Sequence, residues 1–166
     1  MNFYNYMIRN YKTSDSPAGD LARDMARDSE HFPRNRACKF KGWHDIIHNH
    51  LVRSGACDAC LETFKECWEE YVRCEKKKFE KKLTQMVKKA GGICPKLVSP
   101  GFDGMPDRMV LLPNGRIGFV EVKALGEKPR PLQLSRHRLL RRLGFPVYVL
   151  DDTEQIGGIL DEIRTS

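Results

Sequence analysis

The 166-residue sequence contains no run of apolar residues near the length of about 18 that spans a bilayer. Its polar start, Met-Asn-Phe-Tyr-Asn, lacks the hydrophobic region of a secretory signal peptide. The length leaves room for one ordinary domain or two small ones, since domains commonly have about 100–200 residues. We therefore expect a soluble, cytoplasmic protein.

The sequence also gives little reason to expect disulfides. Its six cysteines are expected to be reduced thiols, because no secretory signal accompanies them. Cys57-Asp-Ala-Cys60 has the spacing of a zinc knuckle, and other candidate ligands are near in sequence: Cys67, Cys74, His44, His48 and His50. A seven-residue interval along an apolar helix is also typical of small core residues, so we favour packing and keep zinc as the alternative.

Acidic residues are outnumbered in only one part of the chain. Residues 1–74 carry 11 Lys and Arg against 11 Asp and Glu, whereas residues 75–166 carry 18 against 11. The whole net charge of +7 therefore lies in the second part, as in proteins that attract nucleic acid. The alternative is a lysine-rich surface that serves solubility.

The first part has a helical pattern throughout. Apolar residues at helical spacing predict four helices, around Phe3 to Met7, Leu21 to Met25, Trp43 to Leu51, and from Leu61 towards Gly91-Gly92. Pro33 and Gly42 predict a loop over residues 31–42.

Several residues of this part resemble the YozE family of small helical domains with a SAM-like fold. They are Phe3-Tyr4, Ala22 with Asp24, Phe32-Pro33, and Phe64-x-x-x-Trp68-x-x-Tyr71. The resemblance implies a compact bundle over residues 1–74, without known catalytic residues, that acts as an adaptor for a protein partner or a substrate.

The second part alternates helices and strands. After the long helix we predict strands at 93–98, 108–112 and 117–123, a helix at 131–143, a strand at 147–150 and a helix at 154–163. The predicted order is α-β-β-β-α-β-α, and the whole chain is expected to be a two-domain α+β protein.

The most informative stretch of the sequence is residues 106–123, which read as a hairpin closed by an Asn-Gly turn. Asp107 and Glu121 fall on its two strands, and alternation places Lys123 on the same face as Glu121. Two carboxylates and a lysine suit a divalent metal and the phosphate that is attacked there. The alternative is a cross-strand ion pair on a solvated hairpin.

Residues 75–151 resemble the VRR-NUC family, a branch of the PD-(D/E)XK nuclease superfamily with a restriction-endonuclease-like core. The matching residues are Glu80 with Leu83, Gly91-Gly92, Lys96, Gly104-Met-Pro106-Asp107-Arg108, Glu121-Val-Lys123, Gln133 and Gly144-x-x-Val147. The resemblance implies a nuclease domain over residues 75–166.

The expected site binds Mg²⁺ or Mn²⁺ through Asp107, Glu121 and the carbonyl of Val122. Lys123 is expected to orient or deprotonate the attacking water and to stabilise negative charge. The resemblance adds Glu80, directly or through a water, and Gln133 as an orienting residue. The alternatives are that Glu80 is an exposed partner of Lys76 or Lys81 and that Gln133 is an ordinary polar residue at a helix N-terminus.

Basic residues near this motif are candidates for nucleic-acid binding: Lys96, Arg108, Arg138, Arg141 and Arg142. The last three share one helical face, which is also compatible with simple solvation.

These observations lead us to expect a metal-dependent deoxyribonuclease, a structure-selective endonuclease on branched or junction DNA of phage or mobile-element type. Symmetric cutting of two strands would need two sites, so we expect a homodimer. The alternatives are a catalytically silent nucleic-acid-binding adaptor and a host-interaction protein that works through the helical domain.

Overall fold

A computed structural model describes residues 1–35, 42–124 and 127–166 of the chain. The chain divides into two compact units, Met1–Cys74 and Glu75–Ser166. Among the described helices, none is both long and apolar enough to cross a membrane.

The first unit is helical, as the sequence predicts. It contains α1 (Phe3–Tyr11), α2 (Pro17–Arg27), α3 (Trp43–Arg53) and the first part of α4 (Asp58–Lys89). The side chains of Asn2 and Ser16 accept hydrogen bonds from backbone N–H groups in the first turns of α1 and α2, which fixes where these helices begin. The predicted loop lies partly outside the described residues, because it includes residues 36–41.

Aromatic packing forms the core of this unit. The ring of Phe3 is fully buried and its centroid lies 5.1–5.6 Å from the rings of Phe64, Trp68 and Tyr71. Asn35 is also buried, and it accepts a hydrogen bond from the Phe3 backbone N–H (2.7 Å) and donates one to the Tyr71 hydroxyl (3.1 Å). The residues that carry the YozE resemblance therefore include much of this core.

The second unit contains the rest of α4, followed by β1 (Arg108–Leu112), β2 (Arg116–Val122), α5 (Pro131–Arg142), β3 (Val147–Leu150) and α6 (Gln155–Thr165). The strands form one mixed sheet in the order β1-β2-β3, in which β2 is antiparallel to β1 and parallel to β3. Asn114 and Gly115 have positive φ angles of 65° and 73°, as the predicted Asn-Gly turn requires.

Alternation along β2 sends side chains to two layers. Val120 and Val122 face a core that contains Leu83 of α4 and Ile163 of α6. Phe119 faces the opposite layer, where it packs with α5 and with the start of β3. Glu121 and Lys123 share the parity of Phe119, so the sheet directs them towards α5.

The strand predicted at 93–98 is wrong in part, so the observed order is α-β-β-α-β-α. Only isolated bridges join this segment to β1, at Ile93 with Leu111 and at Lys96 with Arg108. Pro95 lies between them and has no N–H to donate, so it accepts a bond from Met109 without returning one.

The close approach of the segment after α4 to β1 gives a test of this fold. A Cβ atom on Gly92 would lie 2.3 Å from the backbone oxygen of Leu111, which already accepts a hydrogen bond from Ile93. We expect Gly92→Ala to lower the free energy of unfolding by about 1–3 kcal/mol, measured by urea denaturation. Gly158→Ala is the control, because that site in α6 is open, and it should be neutral or stabilising by up to about 1 kcal/mol. Equal effects of the two changes would contradict this packing.

Candidate active site

The hairpin register brings Asp107 and Glu121 together. The last paired residues of β1 and β2 are Arg108 and Val120, so Asp107 and Glu121 are the next residues outward on neighbouring strands. The carboxylate of Asp107 accepts a hydrogen bond from the backbone N–H of Val122 through Oδ2 (3.1 Å). One end of the hairpin thus carries both carboxylates and the backbone of Val122.

Glu121 and Lys123 form a buried ion pair. The Nζ atom of Lys123 lies 2.9 Å from Oε1 of Glu121, and their side chains are 11% and 0% exposed. This burial contradicts the alternative of a solvated ion pair. Burying two charges is costly unless further hydrogen bonds satisfy them, so the surroundings of this pair decide whether it is tolerated.

Gln133 supplies these further bonds from the first turn of α5. Its Nε2 donates to Oε1 of Glu121 (2.6 Å), and its Oε1 accepts from Nζ of Lys123 (3.0 Å). The same Oε1 also accepts from the backbone N–H of Arg130 (2.9 Å), which fixes the orientation of the amide. Gln133 is therefore more than a polar residue at a helix N-terminus.

His137 is a site residue that the sequence reasoning missed. It is 1% exposed, and its Nε2 lies 3.9 Å from Oε2 of Glu121. Both of these atoms are buried without a hydrogen-bond partner among the described residues. Burial lowers the pKa of His137, and Arg141 and Lys123 lower it further, which favours the neutral imidazole. Its spacing of four residues from Gln133 on α5 is the signal that could have identified it.

Lys76 is a second residue that the sequence reasoning did not place in the site. Its Nζ lies 3.2 Å from Oδ2 of Asp107, and the side chains of Lys76 and Asp107 are 32% and 27% exposed. The useful signal was its position one helical turn before Glu80 on α4.

Glu80 pairs with Arg108 rather than with the other two carboxylates. Its Oε2 accepts a hydrogen bond from Nη2 of Arg108 at 2.6 Å, and both side chains are largely buried. This contact contradicts the alternative in which Glu80 is an exposed partner of Lys76 or Lys81. Arg108 has the same β1 parity as Val110, so its side chain extends towards α4.

The basic residues predicted to bind nucleic acid differ in their contacts. Lys96, Arg138 and Arg142 are exposed, so they are accessible to a polyanion. Arg141 is also exposed, but it donates a hydrogen bond to the backbone oxygen of Val147 at 2.6 Å, which ties α5 to the start of β3. Arg108 is held by Glu80, so it acts in the structure as a buried partner rather than as a surface contact.

The cysteine and histidine residues of the first unit show no arrangement for zinc in the described part of the chain. Across residues 1–35, 42–124 and 127–166, no three His, Cys, Asp or Glu side chains are grouped to hold a metal ion. Burial raises the pKa of the Cys67 thiol to about 11, with smaller contributions from Glu70 and Glu66, which disfavours the thiolate that zinc requires. His44 stacks on Phe64, and His50 contacts Asp28 at 2.6 Å.

Fold and site together define an α+β protein that joins a helical unit to a mixed sheet with a buried carboxylate–lysine pair. Residues 2–73 match the YozE SAM-like fold. A solved structure described as a VRR_NUC domain is similar to this chain, with 34% sequence identity and a TM-score of 0.49. The alignment covers 52% of this chain and 94% of the solved chain. The YozE resemblance that the sequence predicted is thus found by a family match over nearly the same residues.

A phage protein places the chain in a family. The protein named "Putative nuclease p44" from Acyrthosiphon pisum secondary endosymbiont phage 1 is 54% identical over 85 residues, which are 51% of this chain and 90% of that protein. The chain belongs to the same family as p44.

The buried ion pair predicts a non-additive effect on stability. We expect Lys123→Met to lower the free energy of unfolding by about 3–5 kcal/mol, because it leaves the Glu121 carboxylate buried without its cation. Adding Glu121→Gln should recover much of this loss, which a double-mutant cycle in urea would measure. Lys65→Met is the control, since Lys65 pairs with Glu62 on an exposed surface, and it should cost less than about 1 kcal/mol. Strict additivity of the two site changes would contradict the coupling.

Proposed function

We propose that the second unit is a divalent-metal-dependent deoxyribonuclease that cuts branched or junction DNA as an endonuclease. The observation that carries this proposal is the placement of Asp107 opposite Glu121, with Lys123 at 2.9 Å from the Glu121 carboxylate. The family relation to p44, whose name describes a nuclease, supports the reaction class. The basic excess of residues 75–166 supports a polyanionic substrate.

The residues fit a hard divalent cation. Oxygen ligands suit Mg²⁺ or Mn²⁺, and Oε2 of Glu121 is a buried carboxylate oxygen without a hydrogen-bond partner among the described residues. Asp107 uses one oxygen, Oδ2, for its contacts with Val122 and Lys76. We propose Asp107, Glu121 and the carbonyl of Val122 as ligands, while Glu80 stays with Arg108. Such a cation would polarise a phosphate oxygen and lower the pKa of a bound water.

The chain's own residues then supply orientation and charge. The Lys123 ammonium is held between Glu121 and Gln133, which fixes its position before a substrate arrives. An ammonium group that is already held in place at this point stabilises the negative charge that develops on the phosphate. Gln133 is hydrogen-bonded to both the Lys123 ammonium and the Glu121 carboxylate and orients them, so it acts as a positioning residue.

Cleavage of labelled DNA tests the proposal. We expect the protein to cut flap and four-way-junction DNA in Mg²⁺ or Mn²⁺ but not in EDTA. Asp107→Asn and Lys123→Met should each lower the rate by about 100-fold or more. The first weakens a proposed ligand of the divalent cation, and the second removes the ammonium that stabilises charge on the phosphate. Asp161→Asn is the matched control, because the Asp161 side chain on α6 is exposed, and it should retain the wild-type rate. Unchanged cleavage in EDTA would contradict the proposal, and tight binding without cleavage in any metal would favour the adaptor alternative.

Removal of Lys76 is expected to strengthen metal binding. Its ammonium lies 3.2 Å from the proposed ligand Asp107 and competes with a cation there. We expect Lys76→Met to bind Mn²⁺ about two- to five-fold more tightly by calorimetry, the range for a partly exposed charge. Lys77→Met controls for net charge, because Lys77 is the next residue of the same helix and is exposed. Equal changes in the two variants would show that Lys76 has no specific effect at Asp107.

A further inference from the structure

An exposed apolar surface adjoins the candidate site. It consists of Val98 and Phe102 on the loop before Asp107 and of Leu132 on α5, which are 72%, 40% and 48% exposed. Arg136 completes it, because its guanidinium lies 3.9 Å from the centroid of the Phe102 ring. We call these four residues the stacking shelf. None of them has a role in the chemistry proposed above.

The shelf is held in a defined position relative to the site. Nε of Arg136 donates a hydrogen bond to the backbone oxygen of Asp103 (3.0 Å), which ties the loop to α5. Gly104 has a φ of 87°, and a Cβ atom there would lie 2.9 Å from Cγ of Leu132. Leu132 adjoins Gln133, and the loop ends at Asp107, so two site residues are joined to the shelf through the chain.

The guanidinium of Arg136 covers one face of the Phe102 ring, and the ring is 40% exposed. We propose that Phe102, supported in this way by Arg136, stacks against an unpaired base beside the scissile phosphate. Aromatic rings and guanidinium planes are the side chains on which proteins stack nucleic-acid bases. The surroundings suit a polyanion, since Lys128 and Arg130 are exposed immediately before α5. Paired bases within a duplex hide their faces, so the shelf favours DNA with an unpaired nucleotide at the cut position. This inference rests on the proposed function and gives it a physical basis for substrate choice.

Binding measured without cleavage tests the shelf. Fluorescence anisotropy in EDTA would compare a duplex with the same duplex carrying an unpaired 2-aminopurine at the branch. We expect Phe102→Ala to weaken binding of the branched DNA by about 5- to 150-fold, the range for loss of one stacked base, and to change duplex binding little. Phe102→Tyr should retain binding, because it keeps the aromatic face. In the wild type the stacked 2-aminopurine should be quenched, and Phe102→Ala should restore its fluorescence.

Leu143→Ala provides the matched control. Leu143 is 64% exposed at the other end of α5, so its removal deletes an exposed apolar side chain away from the shelf. It should leave binding of both DNA molecules unchanged, and thermal unfolding midpoints would verify that every variant is folded.

The outcomes separate the shelf from the nuclease proposal. The shelf is overturned if the wild type binds no DNA, if it does not prefer the unpaired nucleotide, or if Phe102→Ala affects both DNA molecules equally or neither. Loss of quenching in Phe102→Ala together with no metal-dependent cleavage by the wild type would support the shelf and refute the nuclease proposal.

Discussion

The complete burial of the Glu121 carboxylate in the central strand is the constraint around which the second unit is arranged. Glu121 has no exposed surface, because it lies on the central strand β2 and faces α5. A buried charge of this kind is tolerated only with a counterion and hydrogen bonds. Lys123, the residue after the end of β2, provides the counterion, and Gln133 provides the hydrogen bonds from α5. The position of α5 on the sheet therefore matters to charge as well as to apolar packing.

The same constraint makes the two layers that pack on the sheet differ in polarity. The layer with α4 and α6 is apolar and includes fully buried residues such as Leu83, Val120 and Ile163. The α5 layer has a smaller apolar cluster, and its buried polar residues Gln133 and His137 lie next to Glu121 of β2. One layer thus contributes most of the hydrophobic stabilisation, and the other holds the groups that can do chemistry.

Local sequence signals accounted for most of the fold. The Asn-Gly turn with alternating residues on both sides predicted the hairpin, and β1 has the predicted bounds. The segment at 93–98 was misread because its apolar pattern is that of a strand, whereas the missing N–H of Pro95 interrupts the ladder. Lys76 and His137 each lie one helical turn from a predicted site residue, but their contacts with Asp107 and Glu121 depend on how α4 and α5 pack, and helical spacing alone does not determine that packing. Glu80 was predicted as a site residue, but its pairing with Arg108, 28 residues away, was not predicted for the same reason.

The amide of Gln133 also gives the site a fixed polarity. Its nitrogen end faces the carboxylate and its oxygen end faces the ammonium, while the backbone N–H of Arg130 holds the oxygen end in place. If the glutamate and the lysine exchanged positions, the ion pair would keep its charge and its separation, but both amide contacts would become mismatched. Net charge and spacing therefore do not fully describe this site, because a single neutral side chain distinguishes its two ends.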